Sequence, residues 1–319
     1  MEISTDILNR LQALEEKYAV MGQDWISYLD GLLVANYLTY WDYIHLDTLL
    51  SLQNPRTDFP DEQIFIVYHQ HTEIFFKLIL SEMYQLSDNQ NLTPDYFLNK
   101  INRMNRYFGV LVDSFEVMTE GMDKEQFLQF RMALLPASGF QSVQYRMIEI
   151  CTTKMRNLLV FDERYKIGSE VTMNEMYEFL YWRQGATELA TQKQTLTLQQ
   201  FEKKYRKTLI ELATAFEFKN LWMLHRRLTL QYGENQEITN ALRTFDGMLN
   251  INWALAHYRS AVRYLQRNPE TIAATGGTNW QQYLPPRFQK RISFPELWSE
   301  EEIENWGKSW VESQFSIKK

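Results

Sequence analysis

The sequence is poor in cysteine, glycine, proline and positive charge. One cysteine, Cys151, in 319 residues excludes an internal disulfide, a CxxC redox pair and a thiolate metal cage. Gly (12) and Pro (8) reach about half of their usual combined share, which argues against a sandwich or barrel with many tight turns. Lys and Arg (33) fall short of Asp and Glu (40), leaving −7 with no basic block, so no surface exists on which a phosphate backbone could release counterions. Nucleic acid is therefore not an expected partner. No apolar run approaches the roughly 18 residues of a membrane span, and the opening MEISTDILNR lacks a basic region followed by an apolar stretch. A cytoplasmic protein in a reducing compartment, away from the membrane, is expected. The motifs GxGxxG, GxxxxGK[ST], HExxH and GxSxG are missing, so dinucleotide, P-loop, zincin and hydrolase chemistry lack their signatures. A carboxylate-bridged di-iron site needs Glu-x-x-His on two helices, and the nearest match is a lone Asp42-x-x-His45.

Aromatic residues are abundant: 9 Trp, 18 Tyr and 19 Phe exceed what a helical core of Leu and Ala requires, and suggest a flat ligand. Hydrophobic spacing predicts an all-α fold. Ile7, Leu8, Leu11 and Leu14 mark one helix, and Tyr43, Leu46 and Leu50 a second that Asn54-Pro55 terminates. A long, mostly buried third helix begins near Pro60, where Asp61 and Glu62 suit the positive end of the helix dipole, and continues to about Leu86. Thr93-Pro94-Asp95 opens a fourth helix carrying Phe97, Ile101, Met104 and Phe108; a fifth covers Asp123 to Leu134, and a sixth Phe140 to Leu159. From about 161 to 234 the chain grows more polar, and the pairs Thr172/Glu175 and Thr197/Gln200 read as capping boxes of a small helical insert. One long helix is predicted from about Glu237 to Gln266, followed by Thr275-Gly276-Gly277-Thr278 and an aromatic tail with Phe294, Trp298, Trp306 and Trp310.

Four features could carry chemistry. His257 shares a helix face with Trp253 and lies near the small residues Ala254, Ser260 and Ala261, which would let a flat porphyrin approach; a core histidine bonded to a neighbour explains the same spacing. Phe65, His69, Thr72 and Phe76 form a stripe with one imidazole in it, able to hydrogen-bond an indole N–H or a bound oxygen, or simply to pack. His71, about 200° around the helix from His69, is assigned a structural role. Arg131, in the apolar run Phe127-Leu128-Gln129-Phe130, needs a planar anionic partner, which could be a ligand carboxylate or an internal Asp or Glu. Thr275 beside two glycines offers a hydroxyl next to backbone that can approach a ligand closely, or a plain turn.

Several ordered segments then point one way: YWDYIHLD (Tyr40 to Asp47), FIVYHQHTE (Phe65 to Glu73), FRMALLPASGFQSVQYR (Phe130 to Arg146), Trp253 to His257, TGGT (Thr275 to Thr278) and FPELW (Phe294 to Trp298). On these segments the chain resembles the tryptophan 2,3-dioxygenases, haem enzymes of the kynurenine pathway. The resemblance implies one all-α haem domain over 1–319, a large helical bundle with the 161–234 insert inside it. It implies one haem b per subunit with His257 as the iron ligand and Trp253, Ser138 and Gly139 near the haem, while His69 and Phe65 form the opposite wall. The substrates implied are L-tryptophan and O₂, opened to N-formylkynurenine, with Arg131 clamping the carboxylate, Phe127 lining the pocket and Thr275 closing over the amino-acid end. Tyr40, Tyr43 and Ile44 would come from a neighbouring subunit of a homotetramer and pack against the indole. The chain departs from the family pattern in a longer link from His257 to Thr275, in Thr278, in Ala254 and Ala256 beside the iron ligand, and in His71. Such positions tune ligand basicity and the closing loop. Two other functions stay open: a haem monooxygenase on the same scaffold, and a haem-binding sensor without turnover.

Overall fold

The computed structural model describes residues 3–35, 38–134, 139–168, 170–186, 193–265 and 290–308. It is all-α: among these residues the only β pairing is one bridge between Leu159 and Leu180. None of the described helices is long and apolar enough to cross a membrane. The chain divides into two compact units, Met1–Asn54 and Pro55–Lys319.

The first unit carries α1 (Thr5–Val20), α2 (Trp25–Val34), α3 (Tyr40–Tyr43) and α4 (Leu46–Leu50). No residue of these four helices is buried. The single helix expected around Tyr43 to Leu50 is two short ones, because His45 between them takes the left-handed conformation at φ 52°. Helix α2, which the sequence reading did not single out, is opened by the Asp24 carboxylate, which accepts from Ile26 N at 3.1 Å; Trp25, Tyr28, Leu29, Leu32 and Leu33 carried the one-face spacing that could have revealed it.

The second unit is organised by α5 (Asp61–Asp88), a 28-residue helix about 42 Å long at 1.5 Å per residue. Alongside it lies α6 (Pro94–Asp113), capped by Thr93, started by Pro94, and buried along Phe97, Ile101, Met104, Phe108 and Leu111, the predicted one-face spacing. Phe76, Ile79 and Met83 of α5 pack into the same core. Burying each such side chain contributes roughly 1.5–3 kcal/mol. The buried Lys100 ammonium is bonded to Glu82 Oε2 at 2.6 Å, so the pair that crosses between α6 and α5 is satisfied rather than merely enclosed.

After α7 (Glu116–Thr119), α8 (Lys124–Phe130) is capped by Asp123 and tightens into a 3₁₀ turn, Arg131–Leu134. The predicted helix from Phe140 to Leu159 is shorter: a 3₁₀ turn, then α9 (Val143–Thr152) capped by Ser142, ended where Thr153 becomes extended. Thr153 leaves the helix where its hydroxyl donates to a tertiary partner, the Ser293 carbonyl. The insert region holds α10 (Met173–Glu178), α11 (Tyr181–Gly185), α12 (Leu196–Phe216) and α13 (Leu221–Tyr232). Tyr177, Leu180, Trp182, Leu198, Phe201 and Leu209 form a second core there. The capping box of Thr172 and Glu175 is present in both directions. The other expected box is displaced: Thr195 caps α12, and Thr197 lies buried in its first turn, its carbonyl accepting from Gln141 at 3.0 Å.

The long helix predicted from Glu237 to Gln266 is interrupted. α14 (Gln236–Gly247) passes through a π-helical stretch, Met248–Asn252, before α15 (Trp253–Leu265). A C-terminal segment follows with a 3₁₀ turn at Pro295–Leu297 and α16 (Glu300–Glu304).

Candidate active site

Helices α5, α8 and α15 and the residue Phe115 bring the predicted groups of the second unit together. The Phe65 and His69 rings, one turn apart on α5, have centroids 4.0 Å apart; Phe65 also meets Phe127 at 6.3 Å and Phe130 at 5.9 Å. Phe127 lies 4.6 Å from Tyr264 of α15. On the other side His257 sits against Trp253 at 4.5 Å and Phe115 at 4.7 Å, and Tyr68 bridges from Phe115 (5.5 Å) to His69 (6.2 Å). Part of the aromatic excess of the composition thus surrounds two imidazoles, and another part fills the core of the 161–234 region.

Both imidazoles are set in the same way. His69 Nδ1 is 2.7 Å from the Phe65 carbonyl, and His257 Nδ1 is 2.9 Å from the Trp253 carbonyl. A carbonyl can only accept, so each Nδ1 carries the proton and each Nε2 is left as a bare lone pair. The two rings are electrostatically coupled, since a proton on His69 disfavours one on His257. His69 is open to solvent, yet surrounding protein removes enough water to hold its pKa below the ordinary imidazole value, against the opposing effect of the Phe65 bond. Burial pushes His257 down to about 4, against the opposing effect of the Trp253 bond. The neutral, ligating form of that ring is therefore the stable one at neutral pH.

A pH dependence follows. His257 in the unfolded chain titrates near its ordinary value of about 6.5, above its folded value of about 4. The stability it contributes is present above the unfolded value and is lost as pH falls through the window between the two. Urea unfolding of the haem-free protein should show a midpoint that drops between pH 6.5 and about 4, with the drop reduced in His257→Gln. An identical slope in both proteins would mean that His257 is not held neutral by burial.

Arg131 is 4 % exposed, and burial lowers its pKa. It stays charged at neutral pH all the same, because a guanidinium starts from a value above about 12. It follows Phe130 at the turn from α8 into the 3₁₀ segment, and so enters the second unit beside the aromatic wall. Gly139 begins the 3₁₀ turn before α9. Ser138 and Thr275 lie outside the described residues, as does the whole TGGT segment. Tyr40, Tyr43 and Ile44 belong to the first unit, where Tyr40 and Tyr43 are 72 % and 74 % exposed. His71 keeps its structural assignment: its ring packs 4.6 Å from Phe75, and its Nε2 is buried with no hydrogen-bond partner.

One cluster escaped the sequence reading. Arg146 of α9 bonds Glu149 Oε2 at 2.7 Å and the Tyr181 hydroxyl at 2.6 Å; Arg291 reaches the same hydroxyl at 2.6 Å and Glu149 Oε1 at 3.4 Å. Two guanidinium groups thus share one carboxylate, the Nε of each is buried without a partner, and both act on His257. Arg146 lay inside a quoted motif, whereas Arg291 carried no signal, since its neighbours in the cluster are more than 100 residues away.

These residues suit a haem. No group of three or more His, Cys, Asp or Glu able to hold a bare metal ion occurs among the described residues. A porphyrin iron needs only one protein nitrogen, and His257 Nε2 is such a nitrogen, with its orientation and tautomer fixed by the carbonyl behind it. The unmatched arginine donors beside it supply the surplus positive charge that the carboxylate arms of a porphyrin require.

The sequence profile of the tryptophan 2,3-dioxygenases matches residues 33–248, two thirds of the chain. The chain belongs to the tryptophan 2,3-dioxygenase family. The matched stretch includes Phe65, His69, Phe127 and Arg131 and stops short of His257. A tryptophan 2,3-dioxygenase of Ruegeria sp. is 39 % identical over 117 residues, 36 % of this chain and 41 % of that relative. One of Sorangium cellulosum is 37 % identical over 169 residues, 49 % of this chain but only 38 % of that protein. One of Caulobacter vibrioides is 28 % identical over 270 residues, spanning 83 % of this chain and 98 % of the relative. The higher identities are thus confined to part of the relatives' length, and the weaker one runs nearly end to end.

Proposed function

We propose that the chain is a haem-dependent dioxygenase that opens the indole ring of L-tryptophan with O₂ to give N-formyl-L-kynurenine. The observation that carries this reading is the pair of imidazoles whose Nε2 atoms are both bare and both directed away from their own helix backbone, inside an aromatic enclosure. His257 would hold the iron of haem b, with Trp253, Ser138 and Gly139 near the macrocycle and the two arginines at its carboxylate arms. When bound, the haem supplies activation of O₂, which the protein's own groups cannot perform. His69, opposite His257, accepts a hydrogen bond from the indole N–H through Nε2 and so fixes the plane of the ring. Phe65 and Phe127 enclose the indole and keep water out, Arg131 takes the carboxylate in a two-pronged bond, and Thr275 closes over the amino-acid end. Positioning of this kind accounts for much of a rate enhancement when both reactants are held in contact.

The assembly we propose is a homotetramer in which Tyr40, Tyr43 and Ile44 line a neighbouring active site. Its support is the first unit, whose helices bury nothing although Ile7, Leu8, Leu32, Leu33, Tyr40 and Trp41 are all exposed. Helix α5 adds an uncovered stripe of Val67, Ile74 and Leu78, seven and four residues apart along one face. Residues 1–319 would form one haem domain with 161–234 as a helical insert, a reading supported by the separate core there. A cytoplasmic setting agrees with the single, buried Cys151 thiol.

Turnover of L-tryptophan under ¹⁸O₂ tests the reaction. Two labelled atoms in a product with an opened pyrrole ring are expected. One labelled atom in an intact ring would assign a monooxygenase instead, and a spectral response to tryptophan without product would assign a sensor.

A further inference from the structure

Asp246, in the last turn of α14, is completely buried, and four donors converge on it. Oδ1 accepts from Ser293 N at 2.9 Å and from Asn250 Nδ2 at 2.7 Å; Oδ2 accepts from Phe294 N at 3.1 Å and from Trp298 Nε1 at 3.0 Å. A carboxylate has acceptor sites on both oxygens and no proton to place, so it alone among side chains of this size can satisfy donors on both sides. The arrangement joins three pieces of chain: the end of α14, the π-helical stretch Met248–Asn252, and the C-terminal segment at 293–298.

The π-helical stretch is the consequential piece. It holds one residue more than α-helix would over the same rise, and such a stretch persists only where surrounding contacts determine it. Asn250, at its centre, is bonded to Asp246 and also to Ser293 Oγ at 2.8 Å; Ile251 packs with Ile292 and Trp306. Helix α15 starts immediately afterwards with Trp253, whose carbonyl sets the His257 ring. One residue of helix is about 100° of rotation. If the stretch relaxed to α-helix, Trp253 and His257 would turn together by about that angle, and the His257 ring would leave its place against Phe115.

We infer that Asp246 is a positioning residue for the iron ligand: by holding the π-helical stretch in register against the C-terminal segment, it fixes the rotation of α15 and hence the aim of His257 Nε2. The inference rests on the reading of His257 as the haem ligand. Asp246→Asn keeps the shape but presents an N–H₂ to two donors, breaking one side of the node, while Asn250→Ala frees the π-helical stretch and leaves the carboxylate in place with three of its four donors.

The test uses the haem-loaded protein. Asp246→Asn and Asn250→Ala should keep the wild-type helical circular dichroism but bind haem about 10- to 100-fold more weakly, the usual range when a group supporting a metal ligand is lost. Both should also shift the iron–histidine stretching band in the ferrous resonance Raman spectrum. Lys100→Met, which disrupts the equally buried bond to Glu82, is the control for loss of stability alone: it should lower the unfolding midpoint and leave that band in place. Should Asp246→Asn fail to fold, Asn250→Ala carries the same test. If His257→Ala loses haem while folded Asn250→Ala and Asp246→Asn retain wild-type haem affinity and band position, the role of Asp246 is overturned and the ligand stands. If His257→Ala binds haem as well as wild type does, the ligand assignment itself fails, and the inference falls with it.

Discussion

Replacing His257 by alanine should give a folded protein that no longer retains haem. The ring is the one described imidazole with its Nδ1 tied to a carbonyl one turn back, its pKa pushed to about 4, and unmatched arginines acting on it. Loss of groups that merely support a metal ligand weakens metal binding about 10- to 100-fold, so loss of the ligand itself should exceed about 100-fold. The substitution also leaves a hole the size of an imidazole between Trp253 and Phe115. Free imidazole should therefore enter that hole and restore haem binding and the visible spectrum, an outcome that separates a lost ligand from a collapsed fold. A variant purified with a full complement of five-coordinate haem and no response to imidazole would falsify the assignment.

Arg131→Ala should raise KM for L-tryptophan severely at normal haem content. The guanidinium is 4 % exposed, so the pair it makes with a substrate carboxylate forms out of water. Breaking such a pair by removing one partner costs about 3–5 kcal/mol, which at about 1.4 kcal/mol per factor of ten is roughly a hundredfold to a few thousandfold in kcat/KM. Arg131→Lys should recover little, because an ammonium cannot offer two parallel N–H groups to a carboxylate. Tryptamine, which keeps the indole but lacks the carboxylate, should be a poor substrate of the wild-type protein for the complementary reason, the two-pronged bond being lost from the ligand's side. Unchanged kinetics in Arg131→Ala would take the residue out of the site.

Helices whose signals are local were legible. The cap and face of α6 are written in Thr93, Pro94 and the spacing of Phe97, Ile101, Met104 and Phe108, and the structure has them as read. The box at Thr172 and Glu175 is equally local. Where a residue serves a distant partner, local spacing misled. Thr153 ends α9 in favour of Ser293, 140 residues away. Asn250 breaks the long C-terminal helix because its amide is shared by Asp246 and Ser293. Thr197 and Gln200 have the letters of a capping box, but Thr195 takes the cap and Thr197 turns inward.

The site divides along the same line. His69, His257, Phe65, Phe127 and Arg131 stood out by their neighbours in the chain, but the spacing of each fitted plain packing equally well. Folding gives each histidine Nδ1 a carbonyl one turn back and leaves each Nε2 bare, and it brings α5, α8 and α15 together so that the aromatic stripe becomes a wall.

By itself the sequence determined an all-helical chain, its principal amphipathic helices and the family to which it belongs, because caps, periodicity and short ordered motifs act within a few residues. Which nitrogen of each imidazole is free, which arginines act electrostatically on His257, and how far α15 is rotated were decided only in three dimensions. Those properties depend on Glu149, Tyr181, Arg291, Asp246 and Ser293, groups bonded to partners up to 142 residues away, whose convergence no local pattern encodes.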